Sequence, residues 1–217
     1  VVDDGSTDRT AQVAEDSGAD IVAHEENRGV GAAFRTGLET ALQNGADIVV
    51  NMDGDGQFHP EHIPDLIRPI TEDGYGFVTC TRFRNSEWEP DMPRVKRWGN
   101  AMMCHLINWI IKGGRFTDVS CGFRAYSRDA ALKLTLFGEF TYTQETFIDL
   151  ASKGVRMTEV PLQVKGKREN GTSRVANNLW KYAGRAGLII LRAMRDTRPL
   201  TFFGGIGLAV FLLGALC

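Results

Sequence analysis

Two aspartates that flank a single glycine are the residues best suited to chemistry in this sequence. Asp53 and Asp55 stand in the run DGDGQ, which directly follows the apolar stretch 48–52. Two carboxylates on a glycine-rich turn can hold a hard divalent cation and leave coordination positions for phosphate oxygens. A calcium loop of the EF-hand type is excluded because Pro64 stands where that loop needs a glutamate. Because the pattern is short, a solvated polar turn is the alternative interpretation.

A second acidic turn stands near the start of the sequence, where Asp3, Asp4 and Ser6 follow two valines. A carboxylate at a strand end can accept hydrogen bonds from a nucleobase or a ribose hydroxyl, and the same turn can cap a helix. The run NRGVGAA at 27–33 can begin a helix near a phosphate. It lacks the third glycine and the acidic residue of a dinucleotide fingerprint, which excludes a nicotinamide site.

The elements that must position these turns alternate between strand and helix. Apolar runs predict strands that end at residue 2 and span 21–24, 48–52 and 77–81. The intervening stretches predict helices that end near residue 17 and span 29–44 and 60–70. This alternation predicts a doubly wound, mostly parallel α/β sheet, in which ligands bind beyond the carboxyl ends of the strands. Both acidic turns lie at such ends.

The pattern of elements continues after residue 82, with helices predicted over 97–112 and 144–153 and strands over 122–127 and 157–164. The apolar side of the first of these helices is formed by Met102, Met103, Leu106, Ile107 and Ile110. We interpret three of the four tryptophans as core or interface residues and the fourth as a candidate for a lipid boundary. They are Trp88, Trp98, Trp109 and, at the boundary, Trp180.

Charge is divided unevenly along the chain. Residues 1–60 carry twelve acidic and three basic residues, whereas residues 165–198 carry nine basic and two acidic ones. The net charge of -2 gives no general attraction to nucleic acid, and the composition of 43% hydrophobic and 24% charged residues excludes a disordered chain. Four widely spaced cysteines argue against a zinc site or a disulfide framework.

The basic half of the chain leads into an uncharged end. We predict a basic loop over 166–174 and an amphipathic helix over 176–194 that lies on a membrane surface. The uncharged stretch 199–217 predicts the start of a transmembrane helix, with a buried core helix as the alternative. The sequence is thus divided into a catalytic domain over 1–165, a basic loop and juxtamembrane helix over 166–198, and a membrane segment. A strand-like start and an apolar finish lead us to expect a piece of a longer chain.

Together the motifs resemble glycosyltransferase family 2, whose members have the GT-A fold. The stretches that carry this resemblance are VVDDGSTDRT, ENRGVGAAFRTG and ADIVVNMDGDGQFHPEHIPDLI. Later stretches are similar to the polyprenyl-phosphate glycosyltransferases of the dolichol-phosphate mannose synthase type, namely TDVSCGFRAYSRDA and EVPLQVKGKRENGTSR. The usual first strand of the family is missing, and Arg174 stands where the family often has lysine.

The resemblance implies four groups of site residues. Those implied to bind a nucleoside diphosphate sugar are Asp3, Asp4, Ser6, Arg28, Gly29, Asp53 and Arg82. Those implied to hold Mg²⁺ or Mn²⁺ are Asp53, Asp55 and Gln57. Those implied to bind an acceptor phosphate are Arg124, Arg168, Ser173 and Arg174. Those implied to act in catalysis are Asp118, Arg124 and Asp55.

The activity implied is an inverting, metal-dependent transfer of a hexose to a dolichyl or undecaprenyl phosphate. The enzyme would be attached to a membrane, with its catalytic domain on the cytoplasmic side. An acceptor phosphate is already anionic, so it needs cations more than a general base. One alternative is a family 2 enzyme that elongates a glycan and requires Glu145 or Asp118 as a base. The other is a nucleotide-sugar-binding membrane protein without catalytic activity.

Overall fold

The computed structural model describes residues 1–90, 92–136, 142–165 and 198–215, and within 166–197 the residues 184, 187, 188, 191, 192 and 194–196. The described chain forms two sheets. In the first, β1 (Val2–Asp3) pairs in parallel with β2 (Val22–Ala23). The second has the order β3-β5-β4-β6, in which the strands are β3 (Ile48–Asn51), β4 (Phe77–Thr81), β5 (Arg124–Ser127) and β6 (Met157–Pro161).

Helices connect these strands and follow them. They are α1 (Thr10–Asp16), α2 (Val30–Gln43), α3 (Ile63–Asp73), α4 (Arg94–Ile111), α5 (Arg128–Lys133), α6 (Thr143–Ser152) and α7 (Pro199–Ala215). The strands and helices predicted before residue 165 are confirmed, with ends shifted by a few residues. The sequence analysis missed α5, which begins where the Ser127 side chain accepts a hydrogen bond from the Ala130 N–H at 3.2 Å.

The prediction of a mostly parallel sheet is wrong for the four-stranded sheet. Strand β5 runs antiparallel to both β3 and β4, and only β4 and β6 are parallel to each other. The loop before β5 lies at the edge at which β4 ends, since Asp118 in that loop pairs with Arg82 just after the carboxyl end of β4. The chain therefore enters β5 from the edge at which β4 ends and has to run in the opposite direction.

The four-stranded sheet is buried on both faces. Phe77 and Tyr126 point into a core formed with α2, α4 and α6, whereas Val78 and Phe123 point into a second core with α3. All five residues of β4 are buried, as expected for a central strand covered on both sides. The sheet is therefore a rigid base for the loops at its edge.

The structure describes only part of the three elements that were predicted to lie at or in a membrane. The basic loop 166–174 and most of the predicted helix 176–194 lie outside the described residues, and so do Arg168, Ser173 and Arg174. A helix does form over Pro199–Ala215. However, within the part of the chain that the structure describes, no helix combines the length and the apolar character needed to cross a membrane. The predicted transmembrane segment is therefore not supported.

Candidate active site

The acidic turn after β3 and the end of β4 meet at one edge of the sheet. Asn51 and Thr79 both pair with Arg124, from opposite sides of β5. Asp53 follows Asn51 by two residues, and Arg82 follows Thr79 by three. Because these strands are in register at Arg124, the side chains that follow them project beyond the same edge. This is the edge at which the sequence predicted a ligand site.

The turn that carries the two aspartates is fixed at its last residue, Gln57. The Asp55 carboxylate accepts a hydrogen bond from the backbone N–H of Gln57 at 3.1 Å. Gln57 in turn donates its side-chain amide to the Lys165 carbonyl at 3.0 Å, and the Lys165 N–H donates to the Gln57 carbonyl at the same distance. The Gln57 amide nitrogen thus joins this turn to the segment after β6.

The turn suits a divalent cation only if a ligand shares it. Among the described residues, no group of three or more His, Cys, Asp or Glu side chains could hold a metal ion. Mg²⁺ is commonly bound through one or two carboxylates together with substrate phosphates. Asp53 and Asp55, on the turn from 53 to 57, match that donor set. The residues present therefore fit a metal that binds together with a diphosphate.

Gly122, just before β5, restricts where the Asp53 carboxylate can lie. A Cβ atom at Gly122 would stand 2.8 Å from Asp53 Oδ2 and 3.1 Å from Oδ1, which is too close for an ordinary contact. Asn51 fixes the same stretch, because its Nδ2 donates to the Gly122 carbonyl at 2.7 Å and to the Tyr142 hydroxyl at 2.7 Å. Burial raises the pKa of Tyr142 well above its usual value, so this hydroxyl keeps its proton.

We expect Gly122→Ala to displace the Asp53 carboxylate without unfolding the protein, because a carboxylate at the end of a side chain can move. Mn²⁺ affinity in the presence of a nucleoside diphosphate should fall by about 10- to 100-fold, as for other changes beside metal ligands. Gly54→Ala is the matched control, since a Cβ at Gly54 meets nothing within 4 Å. Titration calorimetry measures both variants, and equal affinities would contradict this role for Gly122.

Arg82 and Asp118 form a buried ion pair at the end of β4. Arg82 donates Nε to Asp118 Oδ2 at 2.6 Å and Nη2 to Oδ1 at 3.1 Å, and the Ser120 N–H also donates to Oδ1 at 3.1 Å. The Asp118 side chain is 0% exposed and that of Arg82 is 19% exposed. Burial lowers the pKa of Arg82, but the charge of Asp118 outweighs burial and holds that pKa above its usual value. Arg82 therefore stays charged at neutral pH.

Arg124 lies inside the protein rather than facing a ligand. Its guanidinium donates to the carbonyls of Cys121 at 2.7 Å, Thr143 at 2.9 Å and Val119 at 3.2 Å, and the residue is 0% exposed. Its guanidinium carbon also lies 5.0 Å from the centre of the Phe147 ring. The resemblance implied that Arg124 contacts the acceptor phosphate and acts in catalysis. In the structure its guanidinium is buried and holds the loop before β5.

Two acidic residues near this edge are also buried. Glu159 of β6 accepts hydrogen bonds from the Thr117 N–H at 2.7 Å and hydroxyl at 2.9 Å, and burial raises the pKa of Glu159. Glu145, weighed above as a general base, is buried in the first turn of α6. The sequence analysis gave Glu159 no role, because a single acid in a strand carries no recognisable signal.

The second acidic turn gathers five of the residues implied to bind the donor. The Asp4 carboxylate accepts hydrogen bonds from the backbone N–H groups of Arg28 at 2.9 Å and Gly29 at 2.8 Å. Asp3 is buried and accepts a hydrogen bond from the Ser6 N–H at 3.3 Å. The structure therefore brings this turn to the start of α2, and Asp4 satisfies N–H groups just before that helix.

His24 completes the contacts of Asp4 and was missed by the sequence analysis. Its Nδ1 lies 2.8 Å from Asp4 Oδ1 and its Nε2 lies 2.9 Å from the Thr36 hydroxyl of α2. Because a carboxylate only accepts, Nδ1 carries the proton. Burial raises the pKa of Asp4, but hydrogen bonds from His24, Arg28 and Gly29 outweigh burial and hold that pKa below its ordinary value.

Removing His24 should loosen this turn. His24→Ala leaves Asp4 without one donor and is expected to lower the free energy of unfolding by about 1–3 kcal/mol. His24→Asn should recover part of that loss, because its amide can still donate to Asp4. The stabilisation from Asp4 is present above its unfolded pKa near 3.8 and is lost as the pH falls through the lower folded value. Urea unfolding of both variants from pH 3 to 7 measures this, and identical curves for both and the wild type would contradict it.

Comparison with known proteins gives a family match and several related sequences. The family model for Glycosyl transferase family 2 matches residues 1–135. A UDP-N-acetylglucosamine--dolichyl-phosphate N-acetylglucosaminyltransferase of Methanococcus voltae is 35% identical over 147 residues, which cover 60% of this chain and 58% of that protein. An undecaprenyl-phosphate mannosyltransferase of Micrococcus luteus is 29% identical over 192 residues, which cover 82% of this chain and 76% of that protein.

A solved structure has a similar fold. Glucosyl-3-phosphoglycerate synthase from Mycobacterium tuberculosis, in complex with Mn²⁺ and uridine-diphosphate-glucose, superposes with a TM-score of 0.68 at 24% identity. The match covers 89% of this chain and 66% of that chain. The predicted GT-A-like fold is therefore confirmed, with the mixed sheet described above. The chain spans about two thirds of that structure's length.

Proposed function

The chain belongs to glycosyl transferase family 2, and we propose that this glycosyltransferase moves a hexose from a nucleoside diphosphate sugar to a polyprenyl phosphate. Support for the acceptor class comes from relatives that are named for dolichyl phosphate and undecaprenyl phosphate. Support for the donor comes from the similar structure that holds uridine-diphosphate-glucose. The proposed metal is Mg²⁺ or Mn²⁺ at Asp53 and Asp55, where it would neutralise the charge that develops on the leaving diphosphate.

One observation favours a phosphate acceptor over a growing glycan. A glycan hydroxyl needs a general base that can accept its proton. Both Asp118 oxygens are held by the Arg82 guanidinium, and one of them also accepts from the Ser120 N–H. Glu145, the other candidate, is 4% exposed. Neither acid is placed to take a proton from a hydroxyl, whereas an anionic phosphate needs no such base.

In the proposed reaction a phosphate oxygen of the acceptor attacks the anomeric carbon as the bond from that carbon to the diphosphate breaks. The electron pair of the broken bond leaves with the diphosphate, and the configuration inverts. Arg82 supplies positive charge near the reacting phosphates, since its Nη1 takes no part in the ion pair with Asp118. We assign Arg124 the task of positioning the loop that carries Asp118. Arg168, Ser173 and Arg174 remain proposed acceptor-phosphate ligands.

We also propose that the enzyme works at the cytoplasmic side of a membrane. A polyprenyl phosphate is anchored in a bilayer, so the catalytic domain has to reach the bilayer surface. Three arginines, Arg192, Arg195 and Arg198, stand directly before the uncharged helix α7. The cytoplasmic leaflet is the anionic one and attracts such basic segments.

The direct test follows label from donor to lipid. The protein is incubated with Mn²⁺, a polyprenyl phosphate and, in turn, radiolabelled GDP-mannose, UDP-glucose and UDP-N-acetylglucosamine, and then extracted into organic solvent. Label in the organic phase that is lost with a chelator supports the proposal and identifies the sugar. Nucleotide release with all label in the aqueous phase would favour the glycan-elongating alternative. Donor binding without any nucleotide release would favour the binding protein.

A further inference from the structure

The outer side of α4 is an exposed apolar stripe. Five residues at spacings of three or four share this side of the helix, and each is at least 37% exposed: Val95, Trp98, Met102, Leu106 and Trp109. The two tryptophans are the most exposed, at 65% for Trp98 and 61% for Trp109. The ends of the stripe lie fourteen positions apart along the helix, which makes it about 21 Å long. So large an apolar strip on a surface marks a contact site.

The charges on α4 favour an anionic lipid surface over a second copy of this chain. The helix carries Arg94, Lys96 and Arg97 and has no acidic residue in its sequence. Glu89, before the helix, already pairs with Arg97 at 2.8 Å. Two such helices placed side by side in the same direction would bring like charges together, whereas a cluster of cations at one end of an apolar stripe suits the headgroups and chains of an anionic bilayer. Tryptophan is also enriched at the boundary between bilayer and water.

A second exposed apolar element adjoins the stripe. A cavity of about 340 Å³ is lined by Trp109 and Lys112 at the end of α4 and by Arg198 and Thr201 at the start of α7. Helix α7 has no charged residue, and its Leu200 is 90% exposed. Two exposed apolar surfaces that meet at one cavity are most simply covered by the same partner.

We propose that the outer stripe of α4 lies on an anionic lipid bilayer and positions the catalytic edge of the sheet against it. The inner side of α4 holds the loop that carries Asp118. Asn108 exchanges two hydrogen bonds with the Phe116 backbone, at 2.9 and 3.0 Å, and Asn100 donates to the Thr117 carbonyl at 3.1 Å. The proposed contact with a bilayer does not depend on the proposed reaction. Only the further step, in which this contact brings a lipid phosphate close to Arg82, rests on the proposed function.

The test uses tryptophan quenching by vesicles of brominated phosphatidylcholine and phosphatidylglycerol. Wild-type fluorescence should be quenched, and Trp98→Phe/Trp109→Phe should lose most of the quenched component while it still binds the vesicles. Trp88→Phe is the control, because Trp88 lines a different groove, beside α3 and β6, and this variant should keep the quenching. Equal quenching in all three proteins would place other residues on the lipid and overturn the proposal.

Two further results separate this proposal from its rivals. Shielding of Trp98 and Trp109 from acrylamide that rises with protein concentration, without vesicles, would mean that a second copy covers the stripe, which overturns the proposal. Quenching needs no sugar transfer. Quenching without transfer to any polyprenyl phosphate would therefore count against the proposed function alone, and transfer without quenching of these tryptophans would count against the lipid contact alone.

Discussion

Asp118→Asn is expected to lower the free energy of unfolding by about 3–5 kcal/mol, because it leaves a largely buried guanidinium without its counter-charge. Asp118 is 0% exposed and binds Arg82 through two hydrogen bonds. Arg82→Gln should be less destabilising, since the carboxylate that it leaves still accepts the hydrogen bond from the Ser120 N–H. Urea unfolding at pH 7 measures both single variants. A loss below about 1 kcal/mol for Asp118→Asn would show that water reaches the pair far more than its burial indicates.

The double variant separates stability from activity. Arg82→Gln/Asp118→Asn replaces two charges by two amides that can form a hydrogen bond with each other. The double variant should therefore lose less unfolding free energy than the two single variants lose together. We expect the double variant to have no sugar transfer, as in Arg82→Gln, because both lack the positive charge of Arg82 that we propose faces the phosphates. If transfer returned together with stability, Arg82 would have only a structural role. Asp129→Asn is a suitable control, because Asp129 is an exposed acid that pairs with Lys133.

The sequence predicted the strand end that carries the two aspartates, because the signal was local. An apolar run followed at once by DGDGQ indicates a strand end with a polar turn, and the structure has β3 followed by Asp53 and Asp55. The second acidic turn and the glycine-rich run at 27–33 were likewise predicted separately. Their contact, through Asp4, Arg28 and Gly29, joins residues more than twenty positions apart. No local pattern carries that information.

The direction of β5 and the burial of Arg124 could not be predicted for a related reason. A strand of four residues has the same apolar pattern whichever way it runs. Its direction depends on the edge at which the chain enters the sheet, and that edge is marked by a contact between Arg82 and Asp118, which are 36 positions apart. An arginine is rarely buried, and the buried Arg124 is satisfied by three backbone carbonyls, two in the loop before β5 and one at the start of α6.

Helix α4 shows the same limit in its apolar pattern. The sequence analysis grouped Met102, Leu106, Ile107 and Ile110 on one apolar side, as expected of a helix with one buried face. In the structure Ile107 and Ile110 are buried, whereas Met102 and Leu106 belong to the exposed stripe. Helical spacing shows which apolar residues share one side of the helix. Which of two apolar sides meets the core depends on the rest of the fold.

The largest effect on transfer is expected from the aspartates of the DGDGQ turn. Asp55→Asn removes a charge but keeps an oxygen that can accept the Gln57 N–H, so the turn should keep its shape. A metal at a leaving diphosphate contributes several kcal/mol to the stabilisation of the transition state. Transfer should therefore fall by about 1000-fold or more, and Asp55→Ala should match it, while the unfolding free energy changes by less than about 1 kcal/mol.

Measurement of binding and transfer on the same variants decides whether that loss comes from the metal. Mn²⁺ binding in the presence of UDP or GDP should weaken in Asp55→Asn in step with transfer, and added Mn²⁺ should restore part of the rate. Glu61→Gln is the matched control, since it neutralises an exposed acid in the short helical turn that follows. Transfer that persists in Asp55→Asn at an undiminished Mn²⁺ dependence would remove Asp55 from the metal site. Loss of transfer with unchanged Mn²⁺ affinity would instead give this carboxylate a role toward the sugar, because the ion would then be held by other groups.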